Sequence, residues 1–412
     1  MSVLLIGTLD TKGRELAHVR DRLRAEGVSV LVIDAGVMNE PVFVPDIPRQ
    51  QVFAAAGASY SAVKGAGDRG RAIALAARGV ERIAADLYRK GQVQGVLGLG
   101  GSAGTTIGTA AMRALPVGVP KLMVSTLASG QVQPYVGTRD VMMLYSVVDL
   151  AGLNRISRKV LDNAAAAMTG MVRAAVEIGQ AEDRPIITAT MFGVTTLCVE
   201  VARAILERGG FEVLVFHATG TGGRTMEGLI RDGLIAGVLD ITTTELADEL
   251  VGGILSAGAD RLTAAGIEKV PQVISLGALD MVNFGPRATV PEKFRSRRLY
   301  EHNPNVTLMR TTPEEMDLLG KEIAQKASAS SGPTAVMIPL RGVSAIDAEG
   351  QPFDWPEADR ALVQSLRNWI APSVELVELD LHINDPAFAA ACAEKLLEYL
   401  RRAGVTAPLP AG

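Results

Sequence analysis

Cysteine is scarce: Cys198 and Cys392 are the only two among 412 residues. They lie far apart, each inside an apolar helical pattern, which argues against a disulfide framework or a cysteine-based zinc site and fits a reducing compartment. An excess of one charge sign is also missing. Lys and Arg total 41 against 45 Asp and Glu, a net charge of −4, and without a long basic stripe nucleic acid is not the expected partner. The densest basic segment, Lys293, Arg295, Arg297 and Arg298, reads as a solvated face, with an anion pocket as the alternative. No apolar run approaches the ~20 residues that span a bilayer, so no membrane partner is expected. The N-terminus opens on Val3-Leu4-Leu5-Ile6 without a basic n-region or small-residue cleavage site, and the cytoplasm is the expected location.

What the chain has in quantity is glycine and aliphatic residues. Hydrophobic residues make up 48%, aromatics only 4%, and there are 43 glycines, a balance that suits parallel sheets of Val, Ile and Leu covered by Ala-rich helices. The length exceeds what one core usually reaches, so two domains are expected. Hydrophobic periodicity alternates short strands with amphipathic helices. VLLIG, a helix carrying Leu16, Val19 and Leu23, and VSVLVID form a βαβ opening. A loop with Pro41, Pro45 and Pro48 follows, then a helix over about 70–90, the strand GVLGLG, a further helix, the strand KLMVST and a long loop with an Ala-rich helix over about 150–178. The polar stretch from Gln180 to Pro185 reads as a linker. It divides the chain into a nucleotide-binding α/β domain, 1–181, and a second α/β domain, 182–412, a substrate or regulatory half.

The second half repeats the first in outline. PIITATMFG, LCVEVARAILERGG and FEVLVFH mirror VLLIGTLDTKG, its helix and VSVLVID; AGVLDITTTELAD aligns with QGVLGLGGSAGTT, and PQVISLGALD with PKLMVSTLASG. The fold class that follows is α/β, two Rossmann-like parallel-sheet subdomains related by an internal repeat, with ligand loops at the carboxyl edge of each sheet. TAVMIPL, the helix WPEADRALVQSLRNWI, VELVELD and a last helix complete the second sheet.

Two strand-to-helix loops of the first half carry phosphate-binding chemistry. The segment from Gly7 and Thr8 through Asp10 to Lys12 sets backbone amides at a helix N-terminus, which favours anions. Lys12 adds a point charge, and Asp10 either caps the helix or helps to hold Mg²⁺. This is not a Walker A loop, because the lysine precedes the glycine. The loop from Gly98 to Thr106 is the stronger signal: Gly100, Gly101 and Gly104 permit close approach of phosphate oxygens, and Ser102, Thr105 and Thr106 supply hydroxyls. A dinucleotide fingerprint is nearly matched, but no acidic ribose-binding residue follows at the required distance. Asp34 ends the second strand, either as a ribose-binding carboxylate or as a plain turn aspartate. Ser125, Thr126 and Ser129 follow the strand KLMVS, and with Arg139 and Asp140 beyond them this edge suits a polyanion.

Taken together, GTLDTKGRE, GLGGSAGTT and STLASG in the first half, with DITTTELADELVGG, GALDMVNFG and HINDPAF in the second, resemble the ATP-binding domain family named for the tomato tobamovirus-resistance protein. The similarity runs over nearly the whole chain. It implies ATP and Mg²⁺ bound by the first half and self-association as a homodimer. In the plant relatives this domain is fused to a barrel domain, and bacteria tend to encode the two parts separately, so a separate barrel-domain protein is an implied partner.

The matching strand ends of the second half offer acid, base and amide groups instead of glycines. A lone strand-end histidine is more often structural than catalytic. His217, Glu245, Asp280 and His382, with Arg224, nevertheless form an acid–base and anion-binding constellation if they converge in space. Thr243, Thr244, Asn283 and Asn384 are the accompanying substrate contacts. A metal site from His217, Asp240, Asp280 and His382 is conceivable, though no spacing requires it. The expected function is a Mg-ATP-dependent enzyme, or enzyme component, acting on a small acidic metabolite. The alternatives are a non-catalytic ATP-binding regulatory or assembly module for a separate barrel enzyme, and a nicotinamide-dependent oxidoreductase that rests on the glycine loops alone.

Overall fold

Val3 to Gly7 are all buried, the pattern of a strand covered on both faces. The computed structural model describes residues 2–174 and 184–407. The chain divides into two units, Met1–Gln180 and Ala181–Gly412; the expected division at 181/182 lies outside the described residues.

The first unit runs β1 (Ser2–Gly7), α1 (Leu9–Ala25), β2 (Val30–Asp34), α2 (Arg49–Ala55), α3 (Tyr60–Ala66), α4 (Arg69–Arg89), β3 (Val93–Gly100), α5 (Ser102–Arg113), β4 (Lys121–Ser125), α6 (Gln133–Val136), β5 (Met142–Tyr145) and α7 (Arg155–Arg173). Its sheet has the order β2-β1-β3-β4-β5, with every pairing parallel. Alternate residues of β1 feed two cores, as the pleat requires. Leu4 and Ile6 join Val52, Phe53, Ala76 and Ile107 on one face; Val3 and Leu5 join Leu16, Val19, Leu161 and Met168 on the other. Burying each such Leu or Ile contributes roughly 1.5–3 kcal/mol. The periodicity reads α2, α3 and β5 as loop. Both helices are only seven residues long, and β5 is a four-residue edge strand with no fully buried position, so neither carries enough apolar signal.

The second unit runs β6 (Ile186–Met191), α8 (Thr196–Arg208), β7 (Glu212–His217), α9 (Thr221–Arg231), β8 (Gly237–Thr242), α10 (Thr244–Val251), α11 (Ala264–Ile267), β9 (Gln272–Gly277), β10 (Met281–Phe284), β11 (Leu299–Asn303), β12 (Val306–Arg310), α12 (Pro313–Ser328), β13 (Thr334–Pro339), α13 (Pro356–Trp369), β14 (Glu375–Leu379) and α14 (Pro386–Arg402). Its parallel sheet has the order β14-β13-β9-β8-β6-β7. Strands β7, β6, β8, β9 and β13 thus stand where β2, β1, β3, β4 and β5 stand in the first unit, so the repeat is one of topology as well as of sequence. The difference is a three-stranded antiparallel sheet, β10-β12-β11, inserted between β9 and β13. The basic segment lies at its base: Arg297 makes two bonds to Glu315 and Arg298 stacks over Trp355, so both brace the insertion.

A fully buried guanidinium ties the second unit together. Arg261 donates to Asp240 of β8 at 2.7 Å and to Glu245 of α10 at 2.7 Å, and Glu227 of α9 lies 3.5 Å away. Burial opposes its charge, but the attraction of Asp240 and Glu245 outweighs that and raises its pKa well above the ordinary value. Replacing Arg261 by Met strands two buried carboxylates, and the expected cost is about 3–5 kcal/mol. Urea unfolding of the whole chain measures it; a loss below about 1 kcal/mol would show that the network carries no such weight.

Candidate functional site

In the first unit β2 and β3 flank β1 on opposite sides, so the connections leaving β1 and β3 diverge to opposite faces and open a crevice at the carboxyl ends of these strands. The two glycine-bearing loops meet there. Thr8, Thr11, Lys12 and the stretch Gly100 to Gly104 line a cavity of about 260 Å³ together with Arg69. A second cavity of about 580 Å³ adjoins it, walled by Val63, Ala72, Ile73, Ala76 and Ile107. Thr8, Thr11, Arg69 and Ala103 border both.

The smaller cavity faces an uncapped helix. Gly101 is the N-cap of α5 and no side chain accepts from its first turn, whose amides have no intrahelical acceptor. A Cβ on Gly100 would lie 2.7 Å from the Gly104 Cα, so α5 can sit against the end of β3 only with glycine at these positions. Gly101 faces open space instead, with Thr126 Oγ1 the nearest atom to a built Cβ at 3.6 Å. Ser102 is exposed at the cavity. The other hydroxyls brace the loop from beneath: Thr105 and Ser125 bond each other at 2.7 Å in the interior, and Thr106 bonds back to the Ser102 carbonyl. Thr126 and Ser129 line neither cavity. Arg139 and Asp140 lie elsewhere too. Asp140 pairs with Lys121 at the start of β4, so this pair marks the amino edge of the sheet, because the chain has by then crossed back to enter β5.

Across the crevice, Lys12 sits at a kink in α1 with non-helical φ and ψ, and its ammonium donates to the Leu150 carbonyl. The hydroxyls of Thr8 and Thr11 bond each other at 2.6 Å. Gly7 serves packing, since a Cβ there would meet Leu16 at 2.6 Å. Two expected ligand carboxylates are committed internally. Asp34 is buried, accepts from the Leu9 and Gly36 amides and pairs with Arg49 at 2.6 Å, so it does not face a ribose. Asp10 Oδ2 takes the amides of Val37, Met38 and Asn39, while its Oδ1 is buried without a partner beneath Gly36, whose Cβ would approach to 2.5 Å. Such a carboxylate does not fit Mg²⁺, which demands open octahedral access.

The second unit corrects the acid–base constellation. Glu245 is fully buried; besides Arg261 it accepts from the amides of Gly220 and Gly223 at 2.7 and 3.0 Å. Its carboxylate therefore occupies the N-terminus of α9, where an anion would bind. His217 is exposed at the end of β7, and Arg224 is exposed with its Nε on the Gly220 carbonyl. Thr243, Thr244 and Asn283 are buried and bond to the Ser275 carbonyl, the Met281 carbonyl and Asp248 respectively. Asn384 holds the start of α8 through the Val194 carbonyl and the Cys198 amide. None of these is a ready substrate contact except the exposed pair at the α9 end. Asp240 lies in the Arg261 network, and no metal-holding group of His, Cys, Asp and Glu occurs among the described residues.

Asp280 and His382 belong to a different neighbourhood. Asp280 accepts from Ser344 Oγ, and His382 Nε2 donates to the Ser344 carbonyl. Beside them the buried Arg310 of β12 donates to Asp347 at 3.1 Å and to Asp359 of α13 at 2.6 Å. Burial raises the pKa of all three aspartates and their mutual repulsion adds to this, against the attraction of Arg310. Asp347 and Asp359 border a cavity of about 1290 Å³ whose walls include Leu340, Val343, Leu362 and His382. Arg69, Arg310, Asp347 and Asp359 lie outside every glycine-rich or strand-end motif, which is why sequence patterning does not single them out.

Three comparisons bear on this architecture. The family described as "Uncharacterised protein family (UPF0261)" matches with its N-terminal domain over residues 1–177 and its C-terminal domain over 184–400. A UPF0261 protein of Clostridium tetani is 50% identical over 97% of this chain and 99% of its own length. The ToMV resistance protein Tm-1(GCR237) of Solanum lycopersicum is 41% identical over 96% of this chain, which spans 55% of that protein. A solved UDP-GlcNAc 2-epimerase of Methanocaldococcus jannaschii covers 96% of the chain and is itself covered to 93%, at 9% identity and a TM-score of 0.22, too low to carry an argument. With both of its domain models matched and such relatives along nearly its full length, the chain belongs to the UPF0261 family and is homologous to the tomato Tm-1 protein.

Proposed function

We propose that the N-terminal unit is a nucleotide-binding module, and that its ligand is ATP. The observation that carries this reading is the pair of adjoining cavities at the β1/β3 crevice. One presents an uncapped helix N-terminus, a lysine and an arginine; the other is a largely apolar chamber. A triphosphate needs the first and a base the second, and the combined space is of the size that small-molecule sites take. Helix amides and dipole favour anions by roughly 0.3–1 kcal/mol each, more when partly buried. Lys12 has three donors, so it can keep the Leu150 carbonyl and still reach a phosphate. Arg69, exposed on the border of both cavities, supplies the second cation. The choice of ATP over another nucleotide rests on the family resemblance.

Among the described residues lining these cavities there is no histidine, and Asp10 is tied to backbone amides. The cleft offers amides and cations to an anion, and both acids of its lining, Asp10 and Asp68, already accept from backbone amides. That favours binding and regulation, with a separate barrel protein as the candidate client, over ATP-driven chemistry within this unit. Mg²⁺ would come with the nucleotide's own phosphates, not through Asp10.

Gly101→Asp is the sharpest test. Aspartate is a preferred N-cap, so the fold should be kept, while its carboxylate takes the amides offered to phosphate. ATP affinity, read by calorimetry with Mg²⁺ and again with EDTA, should fall about 100-fold. Unchanged affinity in a folded Gly101→Asp protein would refute the site. Removing single cations should cost less: Arg69→Ala about fivefold and Lys12→Ala about tenfold, both shrinking as salt is raised. Steady release of phosphate from ATP by the purified chain would overturn the non-catalytic reading while leaving the binding site standing.

A further inference from the structure

We propose that the C-terminal unit holds a second ligand site, for a small organic cation such as a protonated amine, in the cavity floored by Asp347 and Asp359. It stands independently of the nucleotide reading.

The charge balance points to a cation. Asp280, Asp347 and Asp359 share one buried guanidinium, Arg310, so three carboxyl groups stand against one positive charge. Hydrogen bonding is also incomplete: Asp280 is fully buried, its Oδ2 accepts from Ser344, and its Oδ1 has no partner at all. The cluster is short of both a positive charge and a donor. Most cations at the cavity are drawn elsewhere. Arg341 is paired with Asp380 and Arg367 with Glu378, outside the lining. Arg360 remains, exposed, against the further lining acids Glu349, Asp354 and Glu357. His382 is tied through both ring nitrogens, Nε2 donating to the Ser344 carbonyl and Nδ1 accepting from the Asn384 amide.

The walls supply the rest of the recognition. Leu340, Val343, Leu362 and Val363 line the cavity, so a short alkyl body can lie on apolar surface while its ammonium reaches the two carboxylates. Arg341 and Arg367 on the lining are already paired with Asp380 and Glu378, and the described residues offer no metal-holding group.

Binding should be linked to proton release. Burial and the charge of Asp280 push Asp347 up to about 7, so near neutral pH the cluster already carries a proton in place of a cation. An arriving ammonium displaces it, and affinity therefore rises with pH through this range. The whole chain is titrated with n-butylammonium chloride against equimolar sodium chloride at pH 6 and pH 8, with calorimetry as the readout. Expected are saturable binding, about tenfold tighter at pH 8 for one linked proton, and an alkaline gain lost in Asp347→Asn. Asparagine keeps an oxygen for Arg310 and removes surplus charge, but gives up the acceptor that takes the Val343 amide. Ala361→Trp, which sets an indole into the cavity from α13 and removes no carboxylate, should weaken binding and is the check if Asp347→Asn does not fold. Absence of saturable binding, equal binding by the wild type and Ala361→Trp, or preference for butyrate over butylammonium would each overturn the proposal.

Discussion

A parallel strand with neighbours on both sides, reached by crossovers of one hand, sends its connections across opposite faces of the sheet. Everything functional in the first unit follows from that constraint. It parts the loop after β1 from the loop after β3, leaves their helix ends aimed at a common gap, and lets α4 close one side with Arg69. The aliphatic strands and Ala-rich helices exist to hold this geometry. Leu4 and Ile6 anchor one layer of helices and Val3 and Leu5 the other, so the gap is set by two cores and not by the loops.

The second unit obeys the same constraint and uses it differently. At the end of β7, where α9 begins, two amides receive the carboxylate of Glu245, and Arg261 holds that carboxylate in place. A Cβ on Gly223 would lie 2.1 Å from Glu245 Oε2, so the fit of glycine to an anion survives, with the anion supplied by the chain itself. The open space of this unit has moved to the insertion-bearing side, around Arg310 and α13.

Much of this is legible in the sequence, and the failures have physical causes. Strand-to-helix loops at Lys12 and Gly101 announce themselves because glycine, hydroxyl and lysine cluster at a change of periodicity. The repeat is legible because parallel strands are apolar on both faces. Ion-pair partners are not. Arg261 and Glu245 are 16 positions apart, and Arg310 and Asp359 are 49 apart, with no local pattern to join them, so Glu245 looks like a free acid until its partner is seen. Asp10 and Asp34 mislead for a related reason: a carboxylate at a strand end serves backbone amides as readily as a ligand, and only the fold of residues 34–39 shows which.

The carboxylate seated in α9 has a consequence for how the two halves endure in a cell. A fold that carries its own anion is stabilised to the same degree in every medium, because its ligand is covalently present. A fold that borrows an anion gains stability only in proportion to what surrounds it, by the logarithm of ligand concentration over dissociation constant. If the first half takes a nucleotide as proposed, its durability rises with the supply of that ligand and its susceptibility to proteolysis falls with it, whereas the α9 terminus of the second half has its anion built in.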